Sequence, residues 1–348
     1  MKIRLCVLTE IELYISSQLE ENFDIVFRKN AGNAKLGTTE ESLIELLEKT
    51  QPEIAIIEAQ PFTERVIKKG QSLKLIASVR TTPSNVDMKA ANEAEILVTN
   101  APGRNAVAVA EFTIALLLNS ARYIPQAYYL LKTGNYLLPP GKSADNNPDD
   151  VIWSNPLLER RPYIDFRGHE LAGATLGIFG FGIIGRMVAE RAKALGMKVI
   201  MHDPYVSEES AEKAGCTKMN LEEMLSLSDY VSLHAKTTVE TREIFNLRTF
   251  GMMKNTAFLI NTARGALIRQ KDLIEALRTG LIAGAAIDVY QSEPLQVGDE
   301  LLTLNNLIHT PHIGGATVDV IRHQSELVMK NLDAYRRGEN LPNLWGKN

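Results

Sequence analysis

The segment TLGIFGFGIIGRMVAERAKALGMKVIMHDPY constrains the fold more than any other stretch of this 348-residue chain. An apolar run runs into a turn carrying Gly180, Gly182 and Gly185. An amphipathic helix follows, and then a second apolar run that ends at Asp203. A lone GxGxxG is weak, but strand, turn, helix, strand and acid in this order predict a dinucleotide-binding unit. Gly180 permits the tight turn, Gly182 lets a pyrophosphate approach the backbone, and Gly185 lets helix and strand pack closely. The helix N-terminus offers unpaired N–H groups and a partial positive charge to phosphates, with Ile183 and Ile184 acting through their backbone. Asp203 lies 18 residues past the last glycine, where a carboxylate accepts the ribose hydroxyls and repels a 2′-phosphate. Pro204 and Tyr205 follow it, not an arginine. The expected cofactor is therefore NAD.

The rest of the chain alternates in the same way. IRLCVLT, FDIVF, EIAIIEA, LKLIASV and EILVTN read as short buried strands, with ESLIELLEKT a helix between two of them. NAPGRN breaks the pattern, and one long apolar helix is expected over residues 105–132. A polar stretch, PPGKSADNNPDDVIWSNPLLERRPYIDFRGHEL, follows. At residues 139–172 it is long for a loop in a compact domain, so it is a functional excursion or a surface insertion. Within it Arg160 and Arg161 read as solvated charges. From Thr175 onwards TLGIF, KVIMH, YVSLH, AFLIN, GAAIDV and NLIHT are a second set of strands, and residues 317–337 form a closing amphipathic helix. The fold class is α/β, with two Rossmann-like parallel-sheet domains. The NAD-binding Rossmann domain, residues 106–313, is inserted into a flavodoxin-like substrate domain made of residues 1–105 and 314–348.

Composition narrows the partners. Lys+Arg number 38 against 42 Asp+Glu, a net charge of −4. No basic stripe marks a nucleic-acid binder. No run of about 18 uncharged apolar residues predicts a membrane span; VAVAEFTIALLLNSA is too short and contains Glu111. The start, MKIRLCVLTEIE, reads as a strand and not as a secretory signal. Cys6 and Cys216 lack CxxC spacing, so neither a disulfide framework nor a metal site is expected. Cys6 is read as core and Cys216 as a helix-end thiol. A cytoplasmic location is the expectation.

Chemistry gathers near the end of the chain. Arg264 follows TAFLINTA, Glu293 follows LIAGAAIDVYQS, and His312 follows LIHTP, at spacings of 29 and 19 residues. Residues just past the carboxyl ends of parallel strands line a common crevice. An arginine, a glutamate and a histidine there can hold a carboxylate, stabilise an imidazolium and move a proton. That is the chemistry of a hydroxy-acid redox enzyme. His309 reads as strand-end structure and His323 as a helix surface residue.

The segments VTNAPGRNAVAVAEFTIALLL, LHAKTTVETREIFN, INTARGALI, AAIDVYQSEP and HTPHIGGAT, in this order and spacing, resemble the D-isomer-specific 2-hydroxyacid dehydrogenase family. The likeness is phosphoglycerate dehydrogenase-like and covers nearly the whole chain. It implies that Arg264 binds the substrate carboxylate, that His312 donates or accepts the proton, and that Glu293 bonds His312 and stabilises its charged form. It also implies cofactor contacts for Asp288, Thr262, Ala263, Ala235 and Gly314, with Val109 by the nicotinamide ring, and substrate contacts for Val79, Arg80 and Thr81. The implied partner is a small-molecule 2-hydroxy or 2-oxo acid, and the implied assembly is a homodimer built on the cofactor domains. The alternative is an NAD(H)-sensing interaction protein, similar to corepressors of this family, with little turnover.

The chain departs from the pattern at Ser78-Val79-Arg80-Thr81-Thr82-Pro83, where relatives carry a glycine-rich loop. Thr81 and Thr82 narrow that space and add hydroxyls. Arg80 then either meets an extra anionic group or serves a structural ion pair. No regulatory domain is expected after the last helix.

Overall fold

The computed structural model describes residues 2–33, 35–138, 140–141 and 161–346. Most of the 139–172 stretch, Arg160 included, lies outside the described residues. The chain forms two units, one of Met1–Asn105 with Ala316–Asn348, the other of Ala106–Gly315.

The first unit holds five strands, β1 (Arg4–Val7), β2 (Asp24–Arg28), β3 (Ile54–Ile57), β4 (Leu75–Ser78) and β5 (Leu97–Thr99), in the order β2-β1-β3-β4-β5. Every pairing is parallel. This is the flavodoxin-like order. β3 and β4 are buried along their whole length, which is why IAII and LIAS carry no polar alternation. The helix Glu40–Thr50 starts at Thr39, whose hydroxyl accepts the Ser42 N–H at 3.3 Å. That bond satisfies one of the donors a helix start leaves free. The terminal helix Asp319–Arg337 lays Val328, Met329 and Leu332 against Leu5, Val7 and Ile56.

The second unit holds β6 (Thr175–Phe179), β7 (Lys198–His202), β8 (Thr217–Lys218), β9 (Tyr230–Leu233), β10 (Phe258–Asn261), β11 (Gly284–Ile287) and β12 (Leu307–His309). Their order is β12-β11-β10-β9-β6-β7-β8, again all parallel. The order reverses between β6 and β9, which makes that place the switch point where open α/β sheets take ligands. β8 has two residues and no apolar run, so periodicity does not announce it.

Two expectations need correction. The long helix over 105–132 is two helices, Ala106–Arg122 and Ile124–Lys132, which turn through 65°. Pro125 is the cause. It has no N–H for the carbonyl of Ala121 and its ring would clash with that carbonyl. Tyr123 breaks the run at φ 52°, and the carbonyl of Ala121 instead accepts the N–H of His169 at 2.9 Å. The return to the first unit comes at Ala316, not at residue 314, because Gly314 donates its N–H to Asp288 of the second unit at 2.7 Å. Among the described residues no single helix is long and apolar enough to cross a membrane. Cys6 and Cys216 are both buried, and burial pushes the Cys6 thiol up to about 12.

Candidate active site

β10, β11 and β12 are neighbours, so the loops at their carboxyl ends lie side by side. Arg264, Glu293 and His312 stand on these loops. Gly265 makes the first two adjacent: a Cβ there would come within 1.9 Å of the Tyr290 carbonyl carbon, so the loop after β10 rests directly on the loop after β11.

His312 Nδ1 and Glu293 Oε2 are 2.6 Å apart. A carboxylate only accepts, so Nδ1 carries the shared proton and Nε2 is left for other work. His312 remains half exposed and Glu293 about one third exposed, at 50% and 35% of their side-chain surface. The backbone of His312 sits at φ 55°, a left-handed conformation that costs a residue with a Cβ. The neighbours hold it there. Asp288 Oδ1 accepts the Thr310 hydroxyl at 2.6 Å and the Ile313 N–H at 2.9 Å, while Oδ2 accepts the Gly314 N–H. Tyr290 donates its hydroxyl to the Thr310 carbonyl at 2.8 Å and its N–H to Glu293 Oε1 at 2.9 Å. Tyr290 thus grips both sides of the His312–Glu293 pair.

Asn261, fully buried at the end of β10, staples the arginine loop. Its Oδ1 accepts the Ala263 N–H at 3.0 Å and its Nδ2 donates to the Arg264 carbonyl at 2.9 Å. The Arg264 guanidinium donates to the Ala263 carbonyl at 2.6 Å. Among the described residues no carboxylate pairs with it. Thr262 Oγ1 lies 2.8 Å from Thr113 Oγ1, which also donates to the Val109 carbonyl at 2.8 Å. Val109 itself is buried.

At the switch point the glycines meet the demands of a dinucleotide. Gly180 sits at φ 93°, and a Cβ on it would come 2.4 Å from the Ala235 nitrogen. At Gly185 a Cβ would come 2.4 Å from the Gly180 carbonyl oxygen. Gly182 is the opposite case, since a Cβ there would meet nothing within 4 Å. The open side lies at the start of the helix Ile183–Ala194, with Ile183 exposed and Ile184 half-buried. Asp203 Oδ2 accepts the Phe181 N–H at 2.8 Å and Oδ1 the Tyr205 N–H at 2.9 Å. The acid is thereby fixed beside the glycine turn, and each oxygen keeps a lone pair for a ribose hydroxyl. These residues fit a dinucleotide.

Comparison with known proteins agrees. Residues 114–314 match the model of the D-isomer specific 2-hydroxyacid dehydrogenase NAD-binding domain. The chain belongs to that family. It is an NAD-dependent 2-hydroxyacid dehydrogenase. It is 33% identical over 344 residues to the glyoxylate reductase of Korarchaeum cryptofilum, covering 99% of this chain and 96% of that protein. It is 34% identical over 343 residues to the D-3-phosphoglycerate dehydrogenase of Methanocaldococcus jannaschii; this spans 96% of the chain but only 60% of the relative. The solved apo structure of Rhodotorula graminis D-mandelate dehydrogenase superposes with a TM-score of 0.81 at 25% identity, covering 100% of this chain and 98% of that one.

Several expected site residues of the dehydrogenase also have partners within the protein. The buried carboxylate of Asp288 accepts from Thr310, Ile313 and Gly314 and so holds the His312 turn. Val79 is buried core; Arg80, half-buried, and Thr81, exposed, begin the loop after β4 in the first unit. His323 is not a bare surface residue, because its Nδ1 lies 3.2 Å from the Arg104 carbonyl. Sequence reasoning missed Asn261, Tyr290 and Thr113. For Asn261 a signal existed, since an asparagine at a strand end favours bonding to the backbone two residues on. For Tyr290 and Thr113 no local pattern foretells the partner.

Proposed function

We propose that the dehydrogenase interconverts a D-2-hydroxy acid and its 2-oxo acid, with His312 as acid and base, Glu293 as its partner, and Arg264 on the substrate carboxylate. The observation that carries this is the 2.6 Å bond between His312 Nδ1 and Glu293 Oε2, beside an arginine with no acid of its own among the described residues. NADH supplies the hydride.

The protein's residues supply the rest. Reduction of a ketone leaves an alkoxide that needs a proton at once, and His312 Nε2 is the atom free to give it. Glu293 fixes the orientation of the ring through its bond to Nδ1. In oxidation the same nitrogen takes the proton back. Arg264 offers a planar fork to a carboxylate, which selects 2-oxo acids over plain ketones. Gly180, Gly182 and Gly185 with the helix start at Ile183 hold the pyrophosphate, and Asp203 holds the adenosine ribose, a choice that favours NAD over its 2′-phosphate. Thr262, Ala263, Ala235, Gly314 and Val109 line the nicotinamide end.

Glyoxylate, hydroxypyruvate, phosphohydroxypyruvate and a sugar 2-oxo acid are the substrates to try first. Incubating each with NADH and following its absorbance tests the proposal. Turnover of at least one is expected; tight NADH binding without turnover of any overturns it. The dehydrogenase also acts as a homodimer in this reading. Support comes from exposed Leu118, Ile124, Tyr128, Tyr129 and Leu131 along the two helices that Tyr123 separates, an apolar row suited to a second copy. Light scattering of the purified protein decides between monomer and dimer.

A further inference from the structure

Glu243 lies in the loop after β9, apart from the side chains described above. Its backbone sits at φ 52°, a left-handed conformation that glycine takes freely and that costs a residue with a Cβ. Such strain persists only where the surroundings over-determine it. The main chain does so first. The Glu243 N–H donates to the Ala266 carbonyl at 2.8 Å and the Phe245 N–H to the Leu267 carbonyl at 3.0 Å, while the Arg269 N–H donates to the Phe245 carbonyl at 2.9 Å. Residues 243–245 therefore run as a short strip beside the turn Gly265–Leu267 that Arg264 opens.

The side chain then reaches a third loop. Glu243 Oε2 accepts the Arg269 Nε–H at 2.8 Å, and Oε1 accepts from Gln291 Nε2 at 3.1 Å. The same Gln291 nitrogen donates to the Ile268 carbonyl at 2.9 Å. The Arg269 guanidinium, more than any other neighbour, holds the Glu243 carboxyl below its usual range, so the acceptor is charged at neutral pH. Gln291 stands two residues before Glu293, and Arg269 five after Arg264. One carboxylate thus joins the loops after β9, β10 and β11, and the last two carry Arg264 and Glu293. An exposed ion pair of this kind adds little to stability. Stability alone therefore gives no reason for a strained glutamate where glycine would fit.

We infer that Glu243 is a positioning residue of the dehydrogenase: it pins the loop bearing Arg264 to the loop bearing Glu293, and so sets the spacing between the guanidinium and the His312–Glu293 pair. The inference rests on the proposed function for the roles of those three side chains. A carboxylate held by Arg264 brings its 2-oxo group to His312 only while the two loops keep their places, and a misplacement of about 1 Å costs up to about 10²-fold in rate.

Two substitutions test it. Glu243→Gly removes the carboxylate and the strain together. Glu243→Asn removes the reach but keeps a residue that tolerates the left-handed turn. Both should lower kcat by about 10-fold, within that limit, for whichever 2-oxo acid turns over with NADH. NADH binding, followed by fluorescence, and the melting temperature should hold, which a merely structural role would not allow. Full kcat in both variants, or a kcat that falls only together with the melting temperature, overturns the inference and leaves the proposed function intact. If the wild type turns over no 2-oxo acid, the proposed function fails, and hydrogen exchange still decides the clamp. The Tyr290 N–H, bonded to Glu293 Oε1, should then exchange faster in both variants than in the wild type; equal exchange refutes the clamp.

Discussion

Asp288 accepts the main-chain N–H of Gly314 at 2.7 Å, and a side chain at Gly314 would push into that bond, since a Cβ would lie 2.9 Å from Asp288 Oδ2. The buried acid thereby governs a turn in which His312, two residues earlier, holds a left-handed backbone. Asp288→Asn keeps the shape but turns an NH2 towards groups that themselves donate. Leaving buried donors unpaired costs about 1–3 kcal/mol each. Urea unfolding should show a loss of this order, with kcat reduced as well. A variant as stable and as fast as the wild type would remove Asp288 from the support of His312.

Replacing the acid–base group tests the chemistry itself. His312→Asn should lower kcat by about 10²–10⁴ while NADH binding, followed by fluorescence, is kept. Undiminished turnover would take His312 out of the mechanism.

The pairing with Glu293 has a kinetic signature. The 2.6 Å contact with Glu293 Oε2 fixes the His312 ring through Nδ1. Glu293→Gln keeps the shape but loses the charged acceptor, a hydrogen bond whose loss is worth about 10–100-fold. The kcat for reduction should fall by that order while NADH binding is kept. An unchanged kcat means the two side chains do not work together.

Asp203 is fixed by two main-chain N–H groups, from Phe181 and Tyr205. Asp203→Ala should reduce the preference for NAD over NADP, because the charge that repels a 2′-phosphate is gone. An unchanged ratio of kcat/KM for the two cofactors would place the acid elsewhere than at the ribose.

A different histidine links folding to acid. Burial pushes His234 from 6.5 down to about 3, and its Nε2 lies 2.8 Å from the Ser232 hydroxyl. The unfolded chain then binds a proton on this ring in a pH range where the folded chain does not, so stability drops as pH falls from 6.5 towards 3. Thermal melts of His234→Gln should fall less steeply over that range than those of the wild type. Parallel slopes would show that His234 contributes nothing to acid unfolding.

Much of this was legible in the chain. Strands buried on both faces leave unbroken apolar runs, so LIAS, FLIN and GAAI stand out, and the polar residues after β10, β11 and β12 are read as neighbours. The glycine turn was legible because each glycine answers a different steric demand. The helix break at Tyr123 was written in Pro125 but overridden by the apolar pattern around it. Two things could not be read. One is the two-residue β8, too short for any period. The other is the set of side-chain bonds made by Asp288, Asn261 and Tyr290, whose acceptors and donors are chosen by tertiary approach and leave no mark on local spacing. Arg80 sits between these cases: its presence was plain, but only packing reveals that no acid answers it among the described residues.

The terminal helix has a consequence for the order of events during synthesis. Val328, Met329 and Leu332 complete the same apolar cluster as Leu5, Val7 and Ile56. A ribosome releases the first of these residues long before the last. The opening strands must therefore wait, partly uncovered, while the whole intervening unit is made and can close on its own contiguous sequence. Chaperone dependence of the nascent chain should accordingly concentrate on the amino-terminal strands, and should end only once the final helix clears the exit tunnel.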